Sequence, residues 1–317
     1  MIRRSGDRVF YTSTGAFALV LVLIVGAIAV VLFRESELSI RAFGLRFWET
    51  STWDPVAGDF GALPFIWGTL YSSILALLIS TPIALGIAVF LSDLCPARLR
   101  APLVFLTELL AAIPSIVYGL WGIFVLVPVV REFQMALPEW LREVPWLQGP
   151  PVGVNMLSAS LILAIMIVPF ASSVAREVLR SVPASQREAA YALGSTQWEA
   201  IKVTLHYART GIIGAIMLGF GRALGETMAV TMVIGNNPQA KWGLFEPQYT
   251  MAAVIANEFR EAVEQLHLDA LVEIGLVLFT ITLIVNGASR LLIWNMVRER
   301  KRPAIKTVGV PAEDSAA

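Results

Sequence analysis

Residues 176–210 read REVLRSVPASQREAAYALGSTQWEAIKVTLHYART. Two helix-start signatures stand in this stretch, Ser185-x-x-Glu188 and Thr196-x-x-Glu199. Each pairs a hydroxyl with a carboxylate three residues on, the reciprocal capping pattern of a helix N-terminus. Gly194 lies between them, where a helix C-terminus takes a residue that tolerates left-handed backbone. The expectation is helix, sharp turn, helix. Ala189, Ala190 and Ala192 keep the first helix slim, so that it fits a groove on a partner, with Tyr191 and Trp198 as anchors. A plain connector between two apolar segments, with Glu188 only a cap residue, is the alternative.

The flanks on either side are apolar, and so is most of the chain. Of 317 residues, 56% are hydrophobic and only 15% are charged. Mean hydropathy is +0.70. A soluble domain carries about 25% charged residues, so this chain lacks the charge to coat a water-facing surface. The fold class is all-α, a polytopic helical membrane protein. Six stretches have the roughly 20 apolar residues that a transmembrane helix needs. They lie near 14–33, 65–92, 103–130, 154–175, 211–235 and 270–297. The first resembles a signal peptide in its leading Arg3, Arg4 and Arg8, but its apolar run continues to Phe33, so it reads as a retained anchor.

With the N-terminus placed inside, the inner segments hold fifteen Lys and Arg against seven outside. That bias places both termini in the cytoplasm. Trp140 and Trp146, near Pro138 and Pro145, read as interfacial anchors or as part of an external docking surface. The organisation expected is a cytoplasmic N-terminus over 1–13, an anchor helix and first external loop over 14–64, a core over 65–297 containing the loop 176–210, and a polar cytoplasmic tail over 298–317. Net charge is zero, so no global basic field exists for nucleic acid. One cysteine, Cys95, and two histidines argue against an intrachain disulfide and a His-rich metal site. No Gly-Lys pair and no HExxH string occur, so neither an ATP-binding P-loop nor a zinc-protease site is present in the sequence.

Ionisable residues within membrane segments are costly and mark functional candidates. Arg222 and Glu226 fall in the fifth stretch, and i, i+4 spacing would set both on one helical face. An arginine on a water-lined path suits an oxyanion, because its planar fork donates several hydrogen bonds and stays charged. Mutual neutralisation of the two is the structural alternative. Glu108 is expected to serve helix packing or the interface, and Glu273 to be solvated near the outer edge. Gly221-x-x-x-Gly225 reads as a small-residue packing face. Pro114 should kink the third segment.

The string Glu188-Ala189-Ala190, followed by Gly194, resembles the EAA loop of ABC importer permeases. The second half departs from that pattern. Thr204-Leu205-His206-Tyr207 stands where the family has an Ile-x-Leu-Pro ending, and His206 is read as a structural replacement for the proline. FGLRFWETSTWDPV (43–56), FGALPFIWGTL (60–70), AAIPSIVYGLWGIFVLVP (111–128), REAAYALG (187–194) and GRALGETMAVTMVIGN (221–236) together resemble the PstC-type permeases of bacterial phosphate ABC importers. The resemblance implies a type I ABC importer permease fold in the bacterial inner membrane. It implies a heterodimer with a PstA-type permease, two copies of a PstB-type ATPase on the cytoplasmic loops, and a PstS-type phosphate-binding protein outside. Glu188, Ala189, Ala190 and Gly194 would couple to the ATPase, and Arg222 and Glu226 would line the pathway. ATP and Mg would be bound by the ATPase, with no cofactor and no catalysis on this chain. A sulfate or molybdate permease and a proton-coupled anion carrier using Glu108 or Glu226 are the alternatives.

Overall fold

The computed structural model of the chain describes residues 5–300, so Arg3, Arg4 and most of the expected tail lie outside the described residues. The helices run α1 (Ser5–Glu35), α2 (Glu37–Phe43), α3 (Arg46–Glu49), α4 (Leu63–Val89), α5 (Ala97–Ala112), α6 (Ser115–Trp121), α7 (Val127–Ala136) and α8 (Glu139–Arg142). They continue with α9 (Met156–Arg180), α10 (Ala184–Ala192), α11 (Gln197–Leu224), α12 (Met228–Val233), α13 (Met251–Glu258) and α14 (Gln265–Arg300). A two-residue hairpin, β1 (Trp53–Asp54) and β2 (Asp59–Phe60), pairs antiparallel between α3 and α4. Among the described residues six segments are long and apolar enough to cross a bilayer: Gly6–Glu35, Leu63–Leu94, Ser115–Ala136, Met156–Arg180, Gln197–Leu224 and Gln265–Met296.

The central contact is α4 against α9. Along α4 the buried positions include Gly68, Ser72, Ala76, Ser80, Ala84 and Ala88. Every fourth residue is small, which brings two backbones close where lipid supplies no hydrophobic drive for association. At Gly68 even a methyl group would meet the Tyr249 carbonyl at 2.1 Å. From α9 come Met156, Ala159, Ile162, Leu163, Met166 and Ile167, which join Ala229, Val230, Val233 and Ile234 in one apolar cluster. A second cluster, with Phe47, Phe60, Phe65, Met251 and Leu271, closes the end that bears the hairpin. There Trp67 and Tyr71 donate hydrogen bonds to the carbonyls of Lys241 and Trp242 at 2.9 Å, fastening the loop before α13 onto α4. A third cluster, with Ala88, Leu179, Ala208 and Ile212, lies toward the end that bears α10. The apolar window of α1 is unburied within the chain.

Four sequence expectations are corrected. The third span does not run through 103–130. Ile113 and Pro114 are both extended (ψ 130° and 139°), so α5 stops and α6 starts anew. The proline ring disfavours helical backbone in the residue before it, and here it ends the helix where a kink was expected. The span that follows, Ser115–Ala136, carries a π-turn over Gly122–Leu126. The fifth span begins at Gln197, far earlier than 211, and stops at Leu224. Glu273, expected to be solvated, is 3% exposed, because α2 packs onto α14 and covers it. Of the Gly221-x-x-x-Gly225 face, Gly221 approaches Asn286 of α14, but Gly225 ends α11 with open space around it.

Candidate coupling and translocation site

At one end of the bundle, α10 and the start of α11 form the expected helical pair. Pro183 rather than Ser185 precedes the first helix, and no side chain caps it. Proline's fixed φ suits a helix start, and Ser185 falls one position inside the first turn. The Ser185–Glu188 capping box is therefore absent. Thr196–Glu199 is present: Thr196 Oγ1 accepts from the Glu199 backbone N–H, and the Glu199 carboxylate accepts from the Thr196 backbone N–H at 2.8 Å. Gly194 has φ +79°. Around it the Gly194 N–H donates to Tyr191 O (2.9 Å) and the Ser195 N–H to Ala190 O (3.2 Å). This double closure satisfies carbonyls that a helix end leaves open, and it needs a residue stable in left-handed backbone.

The loop's faces separate cleanly. Glu188, Ala189, Tyr191 and Trp198 are exposed, and Leu193 at the turn is 88% exposed. Ala190 is buried, as are Ala200 and Ile201, where α10 packs on α11. A further residue, Arg187, escaped the sequence reading. Its Nη1 lies 2.7 Å from Oδ1 of Asp93, in the π-turn Phe90–Leu94 that ends α4's span, and the Asp93 side chain is nearly buried. The turn's shape is set by the Cys95 N–H donating to Phe90 O at 2.7 Å. One-residue widening of a helix leaves no mark on hydropathy, and the only signal in the sequence was an acid ending an apolar run. In consequence α10 is tied to α4 by charge and to α11 by packing.

Helix α11 continues through His206 to Leu224 without interruption. A proline at 206 would remove one backbone hydrogen bond and favour a kink; histidine keeps the backbone donor. Its last turn carries Arg222. The guanidinium carbon stands 5.7 Å from the ring centroid of Phe170, near the middle of α9, so the charge sits at mid-depth of the bundle. A cation over an aromatic face is attracted by the ring quadrupole. Arg222 is exposed within this chain and forms no salt bridge among the described residues.

Glu226 does not share a helical face with Arg222. The helix ends between them, and the Glu226 carboxylate accepts from the Ala229 N–H at 3.3 Å, at the start of α12. It satisfies one of the open donors of a helix N-terminus. The structure therefore brings Arg222 and Glu226 to the same helix break but separates them as an ion pair. Glu108 is exposed on α5 and lies 3.3 Å from Arg176 of α9. Pro114 stands at the turn into α6, which packs on α12.

The sequence matches the family model of binding-protein-dependent transport system inner membrane components over residues 84–297. A phosphate transport system permease protein PstC of Mesorhizobium japonicum is 44% identical over 290 residues, covering 90% of this chain and 89% of the relative. Its counterpart from Pasteurella multocida is 47% identical over 302 residues, covering 93% and 94%. Among solved structures, an inward-facing form of the MetNI methionine ABC transporter superposes with a TM-score of 0.54 at 16% identity, covering 75% of this chain and 94% of that one.

Proposed function

The chain belongs to the binding-protein-dependent transport system inner membrane components, and from that premise we propose that it is the PstC-type permease subunit of an ATP-driven phosphate importer. It has the type I ABC importer permease fold and spans the membrane several times. The observation that carries the reading is α11, a single helix that joins the exposed turn at Gly194 to Arg222 at mid-depth. One end offers a docking surface and the other offers a cation on a path.

Phosphate is favoured over sulfate or molybdate by the names of the relatives, which are similar to this chain over most of its length. Arg222 would carry the anion past the apolar core. A guanidinium that is only loosely compensated binds an oxyanion without trapping it, as conduction requires. Glu226 would set the geometry of the break and temper the local charge. Glu188, Ala189 and the aromatic side chains beside them would seat on a cytoplasmic PstB-type ATPase, two copies of which serve this chain and a PstA-type permease. The ATPase would bind ATP and Mg, leaving this subunit without catalysis of its own. A PstS-type binding protein would dock at the hairpin end, which faces outward if both termini are cytoplasmic. In this reading the core over 65–297 performs transport and 14–64 anchors and covers it.

The test is radiolabelled phosphate uptake in cells lacking this chain, with sulfate and molybdate as parallel tracers. Selective loss of phosphate uptake, restored by the wild-type chain, is the expected result. Loss of another anion's uptake instead would overturn the substrate, and no change in any uptake would overturn the transport role.

A further inference from the structure

Beside the coupling end, but separate from it, α5 and α9 line an open surface cavity of about 380 Å³. Its lining includes Arg100, Arg176, Arg180 and Glu108, with Val104 and Phe105 forming an apolar wall. Three guanidinium groups thus face one carboxylate. Arg176 is only 6% exposed and already shared between Glu108 at 3.3 Å and Glu177 at 2.7 Å. The other two are less committed. Arg100 donates from Nη2 to the Cys95 carbonyl at 3.1 Å, which fixes its direction, while its Nε–H is buried with no partner. Arg180 is exposed, and neither it nor Arg100 forms an ion pair among the described residues. Two guanidinium groups without a carboxylate partner, set beside one that has two, leave a net positive rim, and their remaining N–H groups suit an acceptor with several oxygens.

The apolar side narrows the ligand. Phe105, Leu106, Leu109 and Leu110 are exposed along α5 and continue the cavity wall toward mid-depth. Cations at the rim of a bilayer with an apolar track leading inward match a phosphate group that carries acyl chains. The same fork geometry also accepts free phosphate.

We propose that Arg100, Arg180 and Arg176 form a binding site for a phosphate group at the cytoplasmic boundary of the membrane, outside the translocation path. Only the leaflet rests on the orientation proposed above; the binding does not. Arg100 and Arg180 hold the ligand, Arg176 positions it, and Glu108 opposes it.

The experiment is native mass spectrometry of the complete transporter. Wild type and Arg100→Gln/Arg180→Gln are titrated with phosphatidylglycerol, with phosphatidylcholine as the zwitterionic comparison. A second arm titrates inorganic phosphate on the Arg222→Gln background, so that the translocation path does not contribute. The expected result is preferential binding in one arm, weakened roughly tenfold or more by the double substitution. Preference for the lipid identifies a headgroup site, and preference for inorganic phosphate identifies a site for free anion. Arg98→Gln, on the same helix but outside the cavity, should change neither. Glu108→Gln keeps the shape of the site and frees Arg176, so it should tighten binding. Binding in neither arm, or binding insensitive to both Arg100/Arg180 and Glu108, overturns the proposal. Because phosphate uptake is measured separately, failure here leaves the importer reading standing.

Discussion

A cation at mid-depth of a membrane helix costs about 2.5–3.5 kcal/mol by insertion scales, and among the described residues no carboxylate forms an ion pair with Arg222 to offset that. Phe170 supplies attraction from one side only. The remaining compensation must come from water, the anion or the second permease. Arg222→Gln keeps a donor but removes the charge and the fork. Losing a hydrogen bond to a charged group removes about 1.5–3 kcal/mol, so phosphate uptake should fall roughly ten- to a hundredfold. The complex should still assemble, which co-purification of the ATPase checks. Unchanged uptake kinetics would remove Arg222 from the path. The residue itself was legible in the sequence, because an arginine amid apolar residues is conspicuous. Its relation to Glu226 was not. Four-residue spacing implies a shared face only while the helix lasts, and nothing in GRALGET says that the backbone hydrogen bonding stops at Gly225.

Among the elements, α10 is the one that the proposed coupling would move while it stays attached. Its Arg187–Asp93 contact joins it to α4 through a pair of which one member is nearly buried. Removing one partner of such a pair leaves the other desolvated and uncompensated. Arg187→Gln should therefore lower phosphate uptake about tenfold while ATPase subunits still co-purify through the exposed Tyr191, Leu193 and Trp198. The exchange Arg187→Asp/Asp93→Arg should recover part of the loss. Failure of the exchange together with normal uptake in the single variant would show that the pair does not transmit motion. Spans one, two, four and six could be read directly, since each is one unbroken apolar helix and hydropathy measures only that. Spans three and five could not be placed: backbone breaks at Ile113–Pro114 and Gly225 set one limit of each, and the polar first half of α11 hides the other limit of span five from hydropathy. Hydropathy windows cross those breaks freely. Glu273 was misjudged for a related reason: its burial is made by α2, which is more than 200 residues away in sequence.

For the molecule as a whole, both orientation and completeness can be tested. Cys95 is the only cysteine and is 3% exposed, so a membrane-impermeant maleimide should find little background. Val56→Cys, at the fully exposed tip of the hairpin (98%), should label in intact cells. Leu193→Cys should label only in inverted vesicles, prepared from cells lacking the ATPase so that the turn is uncovered. The reverse pattern would overturn the orientation and place the α10 turn outside. The chain also leaves large apolar surfaces on α1 and α5 uncovered. Lipid and a second permease together account for surfaces of that kind in a bundle whose core is otherwise closed.

The continuity of α11 past His206 has a mechanical meaning. A 28-residue helix is a strut about 40 Å long at 1.5 Å per residue. With no proline to act as a joint, it does not absorb bending along its length. A tilt of about 10° imposed at the Thr196 end would swing the far end by roughly 7 Å over that length. That is more than the width of a phosphate ion, and it is delivered directly to the guanidinium of Arg222. In a chain with a hinge at 206, the same push would be divided between two shorter arms. In the proposed coupling, the stroke of the ATPase and the travel of the cation would be one displacement, fixed by the length of a single lever.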